Sequence, residues 1–167
     1  MDAIKNAKPF ARVLIWLVIL ACALFGFDDA ARADAAVPYT ADLRADARAA
    51  AQNRTPLLLF VSLQGCPYCE RVRREYLGPM SGDPEQKARV MIRELRIEAT
   101  VADFAGKPRL GREIAADMKI GMYPTVVLVD ANGTILAEPL VGFTVPDFYG
   151  AYLDDRIDTA RGKINQK

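Results

Sequence analysis

Histidine is absent from all 167 residues. That removes Ser-His-Asp and Cys-His catalysis, histidine-ligated metal sites, and any imidazole base that could activate a thiol. No block of like charge occurs either. The 22 Lys and Arg stand against 21 Asp and Glu, a formal charge of +1, without the basic cluster that grips nucleic acid. Nucleic acid is therefore not an expected partner. Repeats of Gln, Ser or Gly are also missing. With 51% hydrophobic and 26% charged residues, the composition is that of one globular domain with room for a core. The three cysteines and single tryptophan are few enough that their positions carry information.

One cysteine and the tryptophan fall in the N-terminal segment. Lys5, Lys8 and Arg12 precede the apolar run Val13 to Phe27, and the small-residue site Ala31-Arg32-Ala33 follows. This is the three-part layout of a secretory signal. Residues 1–33 are expected to be the signal and 34–167 the mature domain, placing the protein in the periplasm. The apolar run is shorter than the ~18 residues that read as a membrane span, though an uncleaved anchor is the alternative. A lipid anchor on Cys22 is disfavoured because Ala23-Leu24-Phe25 continues the apolar run. Once Cys22 and Trp16 leave with the signal, the mature chain holds one cysteine pair, Cys66 and Cys69. Their C-x-x-C spacing in an oxidising compartment reads as a redox motif or a local disulfide.

Along the mature chain, Thr40 to Asn53 predicts a first helix, with Leu43, Ala47 and Ala50 on one side and Thr40 as its N-cap. Pro56 ends it. The run Leu57 to Leu63 predicts a strand buried on both faces. The cysteines follow, then a helix from Glu70 to Leu77, interrupted at Gly78-Pro79, and after it a polar stretch that either extends the helix or forms a second one. Val90 to Ile97 is expected to be a strand, Gly106-Lys107-Pro108 a loop and Leu110 to Met118 a helix. Thr125 to Val129 reads as a strand, joined through Asn132-Gly133 to a hairpin partner over Thr134 to Val141. A last helix starts at Pro146, with Phe148, Tyr149, Tyr152, Leu153 and Ile157 packing on the sheet and a frayed tail beyond Ala160. Strands separated by helices are expected to be parallel, giving an α/β fold with a mixed central sheet covered by helices on both faces.

A thiol is a poor nucleophile until it ionises, and one at the first turn of a helix is favoured as thiolate by the unpaired N–H groups there. Cys66 occupies that point, and Pro67 suits the first helical position. Cys69, one turn further in, is placed to attack a mixed disulfide and release the partner. Two cysteines without histidine cannot complete a zinc site from one chain, so neither metal nor cofactor is expected. Glu70, and the cations Arg71, Arg73 and Arg74, read as solvated charges on a helix face.

The run Cys66-Pro67-Tyr68-Cys69 between strand and helix, with Tyr123-Pro124-Thr125 leading into a later hairpin, resembles the thioredoxin superfamily from about Thr40 to Arg161. The resemblance implies that the peptide bond before Pro124 is cis, and that Tyr123 and Pro124 face the cysteine pair. It also implies that Pro67 and Tyr68 support a thiol-disulfide oxidoreductase site. The Pro67-Tyr68 dipeptide is that of glutaredoxins. Tyr123-Pro124 nevertheless lacks their Thr-Val-Pro loop and no glycine pair follows, which leaves glutathione use open. Thioredoxins carry a buried acid six positions before the first cysteine, and Phe60 stands there. The segment Gly142 to Tyr149, with Tyr152-Leu153, is similar to the SoxS type of periplasmic thioredoxin in bacterial sulfur oxidation. That implies a reductase fed by a membrane electron donor, acting on an exported protein with a disulfide or cysteine adduct, such as a sulfur carrier. A disulfide oxidase or isomerase, and a noncatalytic module that holds extended peptide at Tyr123-Pro124, are the other readings.

Overall fold

The computed structural model describes residues 36–166, so the expected signal and its cleavage site lie outside the described residues. The central strand β1, Leu57–Ser62, is buried at every position. Its run of Leu, Phe and Val has no polar alternation because both faces are covered. Leu58 and Phe60 enter one core with Cys69, Val72, Leu77, Tyr149, Leu153 and Ile157. Leu57, Leu59 and Val61 enter the other, with Leu43, Ala47, Ile114 and Ala115. Each fully buried Leu, Val or Phe side chain contributes about 1.5–3 kcal/mol of transfer free energy, which makes this strand the hub of the domain.

β2, Met91–Arg96, pairs parallel to β1 from Leu57↔Met91 to Ser62↔Arg96. On the other side lies β5, Thr125–Val129, and beyond it the short β6, Leu140–Val141, so the sheet order is β2-β1-β5-β6. The expectation that strands separated by helices are parallel fails at β5, which runs antiparallel to β1 with Val61 opposite Thr125. The register explains it. β2 ends at Arg96, beside Ser62, and the excursion from residue 97 to 124 returns the chain to that same end of the sheet. No crossover is made, so the strand must run back.

That excursion holds a two-stranded ribbon, β3 (Thr100–Ala102) with β4 (Pro108–Leu110), where only a loop had been expected. The expected hairpin partner over 134–141 shrinks to β6 and an isolated bridge between Val129 and Ile135.

Helix α1 runs Leu43–Gln52. Thr40 is not its cap, because the preceding segment pairs with β2: the Thr40 N–H donates to the Glu94 carbonyl at 2.9 Å, and Tyr39 bridges Glu94 in parallel. Asp42 caps instead, accepting from the Ala45 N–H at 2.9 Å. After the cysteines, helix α2 (Pro67–Val72) passes into a π-helical turn, Arg73–Leu77, and then into α3, Gly78–Gly82. The chain therefore stays helical through Gly78-Pro79, where a break had been expected. In an α-helix the Pro79 ring would collide with the carbonyl four residues back. The wider turn, in which the Gly78 N–H reaches the Arg73 carbonyl, removes that conflict.

Helices α4 (Pro84–Arg89) and α5 (Gly111–Asp117) flank β2 and the ribbon. The last helix, α6, runs Pro146–Asn165. It buries Tyr149, Leu153, Ile157 and Ala160 along one stripe and continues past the expected fraying point because Ile164 still packs on the core. Phe148 and Tyr152, expected in that packing, are instead exposed at 59% and 44%. No helix among the described residues is long and apolar enough to cross a membrane.

Candidate active site

β1 ends at Ser62, and Leu63-Gln64-Gly65 turns the chain into α2. Gly65 has φ +73°, a left-handed conformation that strains any residue with a Cβ. The turn closes with the Cys66 N–H donating to the Leu63 carbonyl at 3.3 Å. Cys66 becomes the N-cap, with Pro67 in the first turn, and its Sγ accepts the Cys69 N–H at 3.2 Å. A sulfur thus does at this helix start what a Ser or Asp oxygen does elsewhere. Cys66 is half-buried and Cys69 fully buried; both are free thiols, with their Sγ atoms 2.6 Å apart. The two can join without moving the backbone.

Burial pushes the Cys69 thiol up to about 12, helped by its hydrogen bond to Cys66. A backbone hydrogen bond from Leu63 and the positive charge of Arg73 oppose that rise. Cys69 is therefore protonated through the neutral range until something removes its proton.

Across from the thiols, the Tyr123–Pro124 bond is cis, as the family resemblance implied. Pro124 is buried just before Thr125, which pairs with Val61 at the end of β1 from which the cysteine turn departs. Tyr123 and Cys66 pack against the same core. The loop is tied down by Thr125 Oγ1 donating to the Met122 carbonyl at 2.8 Å, and by the Gly142 N–H donating to the Pro124 carbonyl at 2.7 Å. Tyr68, Met122, Val141 and Phe148 are large apolar side chains left exposed.

Phe60 is buried and supplies no acid, but a buried acid stands next to it. Glu94 on β2 pairs with Phe60 in the sheet and is fully buried. Its Oε1 accepts from Ser62 Oγ at 2.5 Å and from Arg73 Nη2 at 2.5 Å, and its Oε2 accepts from Arg73 Nε at 2.9 Å. Arg73 also pairs with the exposed Glu70, and its guanidinium lies 5.7 Å from the centroid of the Phe60 ring. The Glu94 hydrogen bonds hold that guanidinium charged. Arg73 was expected to be a solvated helix charge. Its side chain is only 18% exposed, whereas Arg74 is 74% exposed and fits that expectation.

Sequence reasoning missed Glu94 and Ser62. The available signal was the alternation Val90, Ile92, Glu94, which puts a carboxylate third in a row of inward positions.

Among the described residues, no group of three or more His, Cys, Asp or Glu side chains could hold a metal ion. What the arrangement offers is a dithiol that can close to a disulfide at the edge of an apolar surface, on a sheet of thioredoxin type. Residues 43–157 match the thioredoxin-like domain, and the chain belongs to that family. No curated protein matches it. Its structure is similar to that of the oxidoreductase DsbH, at 15% identity and TM-score 0.54 over 97% of this chain and 94% of that one. Spinach chloroplast thioredoxin f, in its short form, is similar at 16% identity and TM-score 0.51, over 77% of this chain and 96% of that one. The reduced periplasmic thioredoxin SoxS of Paracoccus pantotrophus aligns at 22% identity and TM-score 0.44, over 63% of this chain and 98% of that one.

Proposed function

We propose that the chain is an exported thiol-disulfide oxidoreductase that reduces a partner protein through Cys66 and Cys69. The observation that carries the reading is the pairing of a half-exposed helix-capping thiol with a buried one 2.6 Å away. Cys66, as thiolate, attacks one sulfur of the partner's disulfide. A Cys66–partner bond forms, and the other partner sulfur leaves with the electron pair and takes a proton. Cys69 then loses its proton and attacks Cys66 Sγ. The Cys66–Cys69 bond forms, and the partner's remaining sulfur leaves and is protonated. The partner gains two electrons and the dithiol loses two, which a membrane donor must return. Pro67 and Tyr68 shape the first helical turn. Tyr123 and Pro124 form the wall against which the partner strand lies.

The resemblance of Gly142 to Tyr149 to the sulfur-oxidation thioredoxins supports a periplasmic sulfur carrier as the partner, its cysteine held in a disulfide or adduct. Changing Cys69 to Ser stops the exchange at the first covalent adduct, because no thiol remains to release the partner. With the signal intact in the source cell, Cys69→Ser should yield one reductant-sensitive adduct and Cys66→Ser none. Recovery of many unrelated secreted proteins would point to a general reductase or isomerase. Absence of any adduct despite export and folding would sink the catalytic reading and leave a peptide-binding module. Equilibration with a glutathione buffer should place the pair at about −200 to −230 mV; a value near about −120 mV would mark an oxidase instead.

A further inference from the structure

We propose that Arg73 is a positioning residue for the second half of the exchange, a fixed cation beside Cys69 that speeds its attack on the mixed disulfide, with Glu94 and Ser62 as the buried anchor that holds the cation there. The inference rests on the dithiol reading above and specifies how its resolving step proceeds without histidine. When Cys69 attacks, its proton must leave a site with no exposed surface. Among the described residues, the groups that act on that site beyond Cys66 are the Leu63 backbone just after β1, the Arg73 guanidinium, and the Tyr149 phenol on α6, whose own ionisation Cys69 disfavours. Of these, only Arg73 carries a charge at neutral pH, because a phenol is un-ionised there and a guanidinium cannot be deprotonated in a protein.

The backbone places it. Arg73 is four residues after Cys69, and its N–H donates to the Cys69 carbonyl. Helical side chains lean toward the N-terminus, so the guanidinium folds back along the turn that carries Cys69. Left to itself, a long Arg side chain would extend into water. Three anchors prevent that: two hydrogen bonds to Glu94, the Glu70 pair, and the Phe60 ring beneath. Ser62 in turn fixes Glu94 through its hydroxyl, and Arg96 stands 3.9 Å from Glu94 Oε1 on the outer side.

Glu94 is assigned to the anchor rather than to proton transfer, since it accepts three hydrogen bonds from Arg73 and Ser62 and its charge is matched by the guanidinium. The proton goes to water or to the departing partner thiolate. Arg73 lowers the free energy of the Cys69 anion left behind, and the disulfide bond then forms as described, with the same two electrons transferred.

The test isolates Cys69 in the full chain carrying Cys66→Ser and measures its alkylation by iodoacetamide against pH. Losing Arg73 alone strands the Glu94 carboxylate, so the cation is removed together with its partner, as Arg73→Met/Glu94→Gln. The double variant should alkylate about tenfold more slowly at neutral pH, the change in thiolate fraction that one pH unit represents. Arg73→Lys, which keeps a cation, should restore most of the rate. Glu94→Gln alone, which keeps one acceptor oxygen for Arg73 and leaves the Glu70 pair and the Phe60 ring in place, should lose less of the rate than the double variant. An unchanged pH profile in the double variant overturns the proposal, and so does a loss with Glu94→Gln equal to that of the double variant, since that would make Glu94 the base. The parent reading fails separately: a wild-type chain that cannot reduce insulin disulfides refutes the reductase, whatever the Cys69 profile shows.

Discussion

Truncating Glu94 to Ala gives the sharpest thermodynamic test of the packing around the thiols. The carboxylate is fully buried and accepts three hydrogen bonds, two from Arg73 and one from Ser62, at 2.5–2.9 Å. Its removal leaves a guanidinium 18% exposed and a buried hydroxyl without their acceptor. Breaking a buried ion pair by deleting one partner costs about 3–5 kcal/mol, because the surviving charge stays desolvated. Arg73 keeps Glu70, whose side chain is 63% exposed, and that places the loss near the lower end, about 3 kcal/mol. For a domain of this size, the same figure corresponds to a fall in Tm of about 10 °C. Urea unfolding of the reduced wild type, Glu94→Ala and Arg73→Met/Glu94→Gln gives the values. The double variant should recover to within about 1 kcal/mol of wild type, since neither charge then needs a partner and the amide oxygen keeps the Ser62 hydrogen bond. A loss below about 1 kcal/mol for Glu94→Ala, the size of an exposed pair, would refute the claim that this is a buried, coupled site.

Alkaline stability should depend on redox state. Cys69 rises from 9.0 to about 12 on folding, so between those values the unfolded chain has released a proton that the folded chain keeps, and stability must fall as pH rises. Urea midpoints followed from about pH 8 to 10 should drop more steeply for the reduced protein than for the disulfide form, which has no thiol to titrate; equal slopes would contradict the burial of Cys69. Tyr149, raised above its ordinary 10.0 chiefly by burial, adds a slope of the same sign. Its hydroxyl has no hydrogen-bond partner among the described residues, so Tyr149→Phe should flatten the alkaline limb and gain about 1 kcal/mol at neutral pH. Gly111→Ala should cost about 1–3 kcal/mol by thermal unfolding, because the new Cβ would sit 2.2 Å from the Arg96 carbonyl oxygen, a backbone atom at the end of β2 that cannot step aside. Mapping of the reduced wild type after brief alkylation at neutral pH should find the label on Cys66; label first on Cys69 would reverse the two roles.

The elements legible in the sequence are those whose signal is local. Leu57 to Ser62 reads as a strand covered on both faces because six consecutive buried positions leave no room for polar alternation. The thiol site was legible for the same reason, since strand, turn, cysteine and helix follow one another within a dozen or so residues. Direction was not legible at β5, because only the register shows that residues 97–124 return to the end they left. Pro79 misled for a related reason. A proline rules out one hydrogen-bond geometry, and the chain answered with a wider turn rather than a break. The cap of α1 went to Asp42 over Thr40 because the Thr40 backbone was already engaged with a strand 54 positions away in the chain, at Glu94.

Glu94 shows where such reading stops. Within Met91-Ile92-Arg93-Glu94-Leu95-Arg96 a Glu between two Arg looks like a solvated edge, and its neighbours Arg93 and Arg96 do reach the surface side, to Asp46 and to Tyr39. Its burial depends on three separate facts: parallel pairing with β1, a hydroxyl at Ser62, and a cation delivered by a helix that begins at the cysteines. None is visible in the strand itself. Remove the Arg73 partner and the position becomes untenable for a charge; supply it, and an ionised side chain can sit one strand away from Phe60, where the family's acid would have been. Here the buried carboxylate stands on β2, paired with Arg73, and the charged side chain that acts on Cys69 is the cation of that pair. A buried carboxylate near Cys69 would draw off its proton, whereas a clamped guanidinium steadies the anion that remains. The two arrangements predict different responses to Glu94→Gln in the Cys69 pH profile, a loss as large as that of the double variant in the first and a smaller one in the second.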